Sequence, residues 1–340
     1  MSQFATELRD LVDDLVRRTG PAETAEEQRA LWAQLRELGL PRVGVVEERG
    51  GSGGSFDDLL VLIEALAGHG VSQPVVEAAT ADWVLSHATA VDDRFTTLVL
   101  LDAPLATTGG TVTAELTAVP WAREADRLVV CAPQAPPLVV DLRQEAVTVR
   151  EGENLAGEPR DTVLLSAAPV AELAGTPAHE LVRARFALAW STAVAGAAHG
   201  AYRLTKSYVS EREQFGAPLL KIPAVATNLA LMRVELVQAD AALAQARETG
   251  VSATAAQITR VATAAAATAV AQIAHQLHGA IGITAEYPLQ RYTRRLWAWR
   301  DAVASERDWA AELGRSAAAL GEAGMWTVLT AAGPRGSSSA

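Results

Sequence analysis

Tyr208-Val209-Ser210-Glu211-Arg212-Glu213-Gln214-Phe215-Gly216-Ala217-Pro218 interrupts a long helical stretch, and its reading decides the fold. Upstream, Pro177 opens a run dominated by alanine and leucine that stays helical to about Glu211. Gly216 and Pro218 then punctuate the chain. Downstream the spacing predicts a second helix from Ala224 to Glu248 and a third from Ala253 to Leu277. A fourth begins near Pro288 and carries Trp297, Trp299 and Trp309. Four long helices with short connections predict an antiparallel bundle. Small side chains let such helices approach closely, and a large apolar helical face suits a subunit interface.

Toward the N-terminus, Phe4, Leu8, Leu11, Val12, Leu15 and Val16 form one apolar stripe on a helix. A second helix is expected from near Pro21, with Leu31, Trp32, Leu35 and Leu38 on one face and Gly39 as its stop. Gly50-Gly51-Ser52-Gly53-Gly54 follows and reads as a flexible connector before a helix over Leu59 to Ala67, for which Ser55-Phe56-Asp57-Asp58 supplies the N-cap. Between about Thr96 and Ser166 the period changes to short apolar runs: Leu98 to Leu101, Val112 to Val119, Leu128 to Cys131, Leu138 to Val140 and Val163 to Leu165. These predict a small antiparallel β domain. The expected class is therefore α+β, mainly α. Expected boundaries are a helical domain over 1–92, a β domain over 93–172, a helical bundle over 173–328 and a disordered tail over 329–340.

Composition narrows the function. With 29 basic and 40 acidic residues the formal charge is −11, which disfavours general nucleic-acid binding. At 49% hydrophobic and 20% charged residues, the 340-residue chain can bury a large core. The one cysteine, Cys131, excludes an internal disulfide framework. The amphipathic, acidic N-terminus does not read as a signal peptide, and no apolar run is long enough for a bilayer, so a cytoplasmic protein is expected.

Several residues invite chemistry. Gly50 to Gly54 matches G-x-S-x-G around Ser52, but the helix cap lies three residues further on, which disfavours a hydrolase elbow. Cys131 ends an apolar strand and reads as an inert buried thiol. His275 and His278 share a helix face, with no third ligand at matching spacing, so no metal is expected. Arg291, Arg294, Arg295 and Arg300 interleave with Tyr292, Trp297 and Trp299, a pattern read as a solvated helix face.

The helical half resembles the acyl-CoA dehydrogenase family. Arg212 to Pro218 looks like that family's R-x-x-F-G-x-P motif between two long helices. Gln276-Leu277-His278-Gly279-Ala280-Ile281-Gly282 followed by Thr284-Ala285-Glu286-Tyr287-Pro288 looks like its Q-x-x-G-G-x-G and T-x-E-x-P motif. Leu38-Gly39-Leu40, the glycine loop and the following helix are similar to its N-terminal domain. The resemblance implies an N-terminal helical domain, a middle β domain and a C-terminal four-helix bundle, with FAD as cofactor. It also implies that both motifs reach the FAD of a neighbouring subunit. Arg212, Gln214, Phe215, Gln276, Gly279 and Ala280 are the implied FAD contacts. A guanidinium suits pyrophosphate through forked, charge-assisted hydrogen bonds. Ala280 stands where the family has a second glycine.

In the family a glutamate removes the α-proton while the β-hydrogen leaves as hydride to the flavin. Counting fifteen positions from Pro288 puts Val303 where most members carry that glutamate, and counting 29 back from Phe215 puts Phe186 at the minority position. Neither accepts a proton, so no catalytic residue is expected in this chain. The T-E-P-x-A-G-S-D loop that lines the flavin ring is also missing. These departures resemble the shorter, non-catalytic subunit of heterotetrameric bacterial steroid acyl-CoA dehydrogenases. That likeness implies a catalytic partner chain in an α2β2 complex, an acyl-CoA substrate and an electron-transfer flavoprotein or similar acceptor. Two rivals remain: a self-sufficient homotetramer with Asp301 or Glu306 as a relocated base, and a non-enzymatic scaffold.

Overall fold

The computed structural model describes the backbone of residues 3–22 and 24–330, and the side chains of 4–22 and 24–327. The tail expected over 329–340 lies outside the described residues, save for the backbone of 329 and 330. The chain forms two compact units that divide between Phe186 and Ala187. The class is α+β and mainly α, as the sequence predicts.

The first unit opens with four helices: α1 (Gln3–Thr19), α2 (Ala25–Glu37), α3 (Phe56–Gly68) and α4 (Val75–Ser86). Leu8, Val12, Leu15 and Val16 of the α1 stripe are buried, and α1 packs on α3. Helix α2 starts at Ala25 rather than near Pro21, because Thr24 and Glu27 form a reciprocal capping box there. Ser55 and Asp58 do the same for α3. Helix α4 escapes sequence reading for a physical reason. Val75 to Asp82 and Val84 to Ser86 are all buried, so enclosure on every side leaves no amphipathic period.

The glycine run is a packed loop, not a flexible connector. The Gly44 amide donates to the Gly53 carbonyl at 2.8 Å, and the Gly53 amide donates to the Val45 carbonyl at 2.9 Å. A Cβ on Gly51 would sit 2.0 Å from the Val45 carbonyl oxygen. The Ser52 hydroxyl donates to the Gly39 carbonyl at 2.7 Å, so it braces this loop.

Seven strands follow: β1 (Thr96–Leu100), β2 (Thr107–Thr108), β3 (Thr111–Pro120), β4 (Arg127–Cys131), β5 (Leu138–Asp141), β6 (Val147–Arg150) and β7 (Arg160–Glu172). Their order is β1-β4-β5-β7-β3-β2, with β6 also on β7. The sheet is mixed, which corrects the expectation of an antiparallel domain: β1 pairs with β4 in parallel, from Thr96 opposite Arg127 to Leu100 opposite Cys131. Short apolar runs reveal strands but not their order, and β3 turns back on β2 and β7 instead of on β1.

Helix α4 meets the sheet side through a buried polar network. Arg160 lies 3.4 Å from Glu77 and 3.5 Å from Glu158, and Asn154 donates to Glu158 at 2.7 Å. Ser72 also donates to Glu158. One guanidinium shared by two carboxylates at these lengths offsets little of the cost of burying Glu77. Burial therefore pushes the Glu77 carboxyl up to about 7, against the pull of Arg160. The folded state then holds this proton more tightly than the unfolded chain does. Its contribution to stability is full below about pH 4.5 and is lost as pH rises through about 7. Unfolding free energies from denaturant titrations between pH 5 and 8 should decline more steeply in the parent than in Glu77→Gln, by up to about 3 kcal/mol over that range. Parallel profiles would remove Glu77 as the cause.

Helix α5 (His179–Glu211) runs into the second unit, two residues later in onset than Pro177 suggests. There β8 (Glu213–Gln214) and β9 (Ala217–Pro218) form a small hairpin before α6 (Pro223–Thr249), α7 (Ala253–His278), α8 (Leu289–Arg300) and α9 (Glu306–Thr330). Helices α6 and α7 pack together, and α7 also packs on α8 and α9. Its buried face is small, including Ala256, Ala264, Ala267, Ala271 and Ala274.

The fourth predicted helix is two helices, which corrects the reading that carried it through Trp309. Asp301 ends α8, and Ser305 caps α9 by accepting from the Asp308 amide at 3.2 Å while donating to the Asp308 carboxylate at 2.6 Å. Fully buried Arg260 of α7 donates to the Trp299 carbonyl at 3.0 Å and to the Arg300 carbonyl, placing positive charge at the C-terminus of α8. Trp299 packs on Trp190 with ring centroids 5.6 Å apart. Arg295 and Trp299 are buried, so the Arg and Trp pattern is not the solvated face it was read as.

Candidate functional site

Both sequence motifs turn the chain sharply, by different means. In the first, β8 and β9 pair in register through Gln214 opposite Ala217 and Glu213 opposite Pro218. Only Phe215 and Gly216 remain for the turn, and both adopt positive φ, 53° and 78°. That is the requirement of a type I′ hairpin. Glycine meets it freely, whereas a phenylalanine there costs on the order of 1 kcal/mol. The same Phe215 is 94% exposed. Arg212 sits at the hairpin's root, its amide donating to Tyr208 at 2.8 Å and its carbonyl accepting from Leu219 at 2.8 Å. The side chains of Arg212 and Gln214 are exposed.

In the second motif, α7 ends where Gly279 adopts φ 62° and ψ −140°, a conformation only glycine takes readily. Gln276, Gly279 and Ala280 are all exposed. A short 3-10 turn, Gly279–Ile283, returns the chain toward α8. Gly282 has no room for a side chain, since a Cβ would lie 2.8 Å from His278 Cβ and 3.1 Å from Leu289 Cδ2.

A ring cluster ties the motifs together. Tyr208 lies one helical turn before Arg212, and His278 immediately precedes Gly279. Their rings stack with centroids 4.4 Å apart and planes 20° from parallel. Tyr287 closes on both, at 5.9 Å from Tyr208 and 5.1 Å from His278. Thus Arg212 and Gln276, which are distant in sequence, are held at the same end of the second unit. Sequence reading quoted these three residues within the motifs without assigning them this role. The signal was aromatic spacing within each motif, which one-dimensional periodicity does not connect.

His275 and His278, which share a helix face, pair with protein groups. His275 Nε2 pairs with Thr293 Oγ1 at 2.9 Å, and His278 Nδ1 with the Ala274 carbonyl at 2.7 Å. Among the described residues no group of three or more histidines, cysteines or acids could hold a metal. Burial holds His278 below the usual imidazole range, against the favourable Ala274 contact. Its contribution to stability is present above about pH 6.5 and is lost as pH falls below that value. His278→Phe should preserve the ring stack and flatten the thermal-melting profile between pH 7 and 5. A variant as acid-sensitive as the parent would exclude His278 as the titrating group.

Among acids and nucleophiles, burial pushes the Cys131 thiol up to about 12, so it stays protonated and inert. Phe186 is buried in α5 of the first unit. Val303 is half-buried in the segment between α8 and α9. Asp301, on that same segment, is forked by Arg300 through Nε at 3.1 Å and Nη2 at 2.8 Å, and its Oδ1 accepts from the Glu306 amide at 3.3 Å. Its lone pairs are committed to holding the junction of the two helices. Glu306 opens α9.

The arrangement presents one guanidinium, two amides, an aromatic face and accessible backbone on two adjacent exposed loops, without a carboxylate at Val303 or Phe186. Comparison with known proteins agrees with this architecture. Residues 2–90 match the sequence model described as acyl-CoA dehydrogenase, N-terminal domain, and residues 177–300 match the one described as acyl-CoA dehydrogenase, C-terminal domain. Over 293 residues the chain is 29% identical to acyl-CoA dehydrogenase FadE34 of Mycobacterium tuberculosis. That match takes in 80% of this chain and 40% of FadE34, so the chain spans less than half of that relative. The fold is similar to that of a solved variant of the Tcur3481-Tcur3483 steroid ACAD, with TM-score 0.82 and 24% identity over 93% of this chain and 98% of the other. It is similar also to a chain of the ChsE4-ChsE5 complex from Mycobacterium tuberculosis, with TM-score 0.83 and 20% identity over 94% and 98%. The two sequence matches together take in more than half of the residues, and the chain belongs to the acyl-CoA dehydrogenase family.

Proposed function

We propose that this chain is the non-catalytic subunit of an FAD-dependent acyl-CoA dehydrogenase, completing the FAD site of a catalytic partner in an α2β2 complex. The observation that carries the reading is the pairing of two well-formed, exposed motif loops with apolar residues at both family base positions, Val303 and Phe186. Phe215 adds support: an aromatic side chain held at positive φ and 94% exposed makes sense when something outside this chain covers it.

The donor set fits the nucleotide half of FAD. Arg212 would bind pyrophosphate oxygens, Gln214 and Gln276 would hydrogen-bond phosphate or ribose, and Phe215 would offer an apolar face. Backbone at Gly279 and Ala280 would come close to the nucleotide, with the Ala280 methyl crowding that approach relative to glycine. Bound FAD supplies the hydride acceptor. This chain's residues bind and orient, and removal of the α-proton falls to a carboxylate of the partner. The solved steroid ACAD to which this chain is similar supports a steroid side-chain acyl-CoA as substrate. An electron-transfer flavoprotein or similar acceptor would reoxidise the cofactor in the cytoplasm.

Visible spectra of the purified chain and of its complex test this. The expected result is no stoichiometric flavin on the chain alone and two FAD per α2β2 assembly, because only half of the interfaces are complete. Four FAD per tetramer, or stoichiometric flavin with turnover on the chain alone, would assign it an active site of its own.

A further inference from the structure

The first unit contains a cavity of about 420 Å³ where α2, α4 and the start of β1 meet. Two of its lining side chains, Asp82 at 5% exposure and Trp32 at 8%, are buried and incompletely bonded. Asp82 Oδ1 and Trp32 Nε1 have no hydrogen-bond partner among the described residues. Leaving such atoms unpaired is destabilising, and more so for a charge. Burial pushes the Asp82 carboxyl up to about 7 even though Arg127, Arg42 and Arg36 pull it down. These guanidiniums therefore do not satisfy it.

The remaining lining selects a ligand. Arg36, Arg42 and Arg94 reach the same cavity. Of the exposed carboxylates beside them, Asp93 lies 3.2 Å from Arg42 and Asp92 lies 2.8 Å from both Arg94 and Arg127, while Glu37 also lines the cavity. An ammonium ion here would meet several guanidiniums, while a bare inorganic anion would leave Asp82 unpaired. Trp32 and Phe95 pack edge to face at 5.1 Å and give the cavity an aromatic wall. The matching molecule is flat, carries neutral N–H groups and a ring acceptor on one rim, and bears an anion on a tether.

We propose that this cavity binds a purine nucleotide, with amino or imino N–H groups of the base on Asp82, a ring nitrogen on the Trp32 indole N–H and phosphate on Arg36, Arg42 and Arg94. A volume of 420 Å³ is within the range of small-molecule sites. The site belongs to residues of the first unit alone and is independent of the FAD reading.

Calorimetric titration of the purified chain with AMP, GMP and inorganic phosphate tests the proposal. The expected result is saturable binding of AMP or GMP, one per chain, at least about tenfold tighter than phosphate, which is what one good hydrogen bond to the base supplies. Asp82→Leu should bring nucleotide affinity down to that of phosphate, while Arg42→Ala weakens both. Trp32→Phe keeps the ring and removes the donor, so it gives a second reading if Asp82→Leu fails to fold. No saturable nucleotide binding below about 1 mM, equal affinity for phosphate, or unchanged affinity in both Asp82→Leu and Trp32→Phe would overturn it.

Discussion

Dehydrogenation by the purified chain alone is expected to be indistinguishable from background, even with added FAD and a steroid acyl-CoA. Counting from the two motifs puts Val303 and Phe186 where the proposed reading expects the family's proton acceptor, and removing a positioned base typically costs 10²–10⁴ in rate. A partner carrying both the glutamate and the flavin-ring loop should restore turnover. Within that complex Asp301→Asn and Glu306→Gln should leave turnover nearly intact. Asp301 is engaged by Arg300 and by the Glu306 amide, which makes it a brace between α8 and α9. Its amide should therefore register in melting temperature before it registers in rate. If either amide abolishes turnover at unchanged stability, the chain has a base of its own and the split-site reading falls.

The second large effect is expected at Arg212. Arg212→Ala in the assembled complex should weaken FAD retention roughly 10- to 100-fold, the consequence of losing a charge-assisted contact of about 1.5–3 kcal/mol. The competing account is an exposed arginine that pairs with nearby Glu211 or Glu213 in water, where truncation scarcely registers. Rates of FAD release from parent and variant decide between them. Equal rates would end the cofactor role of Arg212, whereas the turnover tests at Asp301 and Glu306 would be unaffected.

The helical half was legible because alanine-rich periodicity, the Gly216–Pro218 break and the proline-led starts are local signals. The break between α8 and α9 was not, since it depends on Arg260, some forty residues upstream, donating to the Trp299 and Arg300 carbonyls from the core. Helix α4 lacked a polar face to reveal it, and the parallel pairing of β1 with β4 is a matter of order rather than pattern. At the candidate site, Arg212, Gln214 and Gln276 could be named from motif spacing. The stack of Tyr208, His278 and Tyr287 that brings them to one end could not. It joins residues 70 positions apart, and no window of sequence contains both.

The Phe215–Gly216 tip has a consequence for the cell as well as for the site. A bare phenylalanine at the apex of a hairpin, with Ile283 also 77% exposed on the neighbouring turn, is tolerable on a surface that is soon covered and hazardous on one that is not. On the proposed split-site reading, chains made in excess of a partner would carry that hazard into self-association and degradation, and co-expression of the two polypeptides would raise soluble yield.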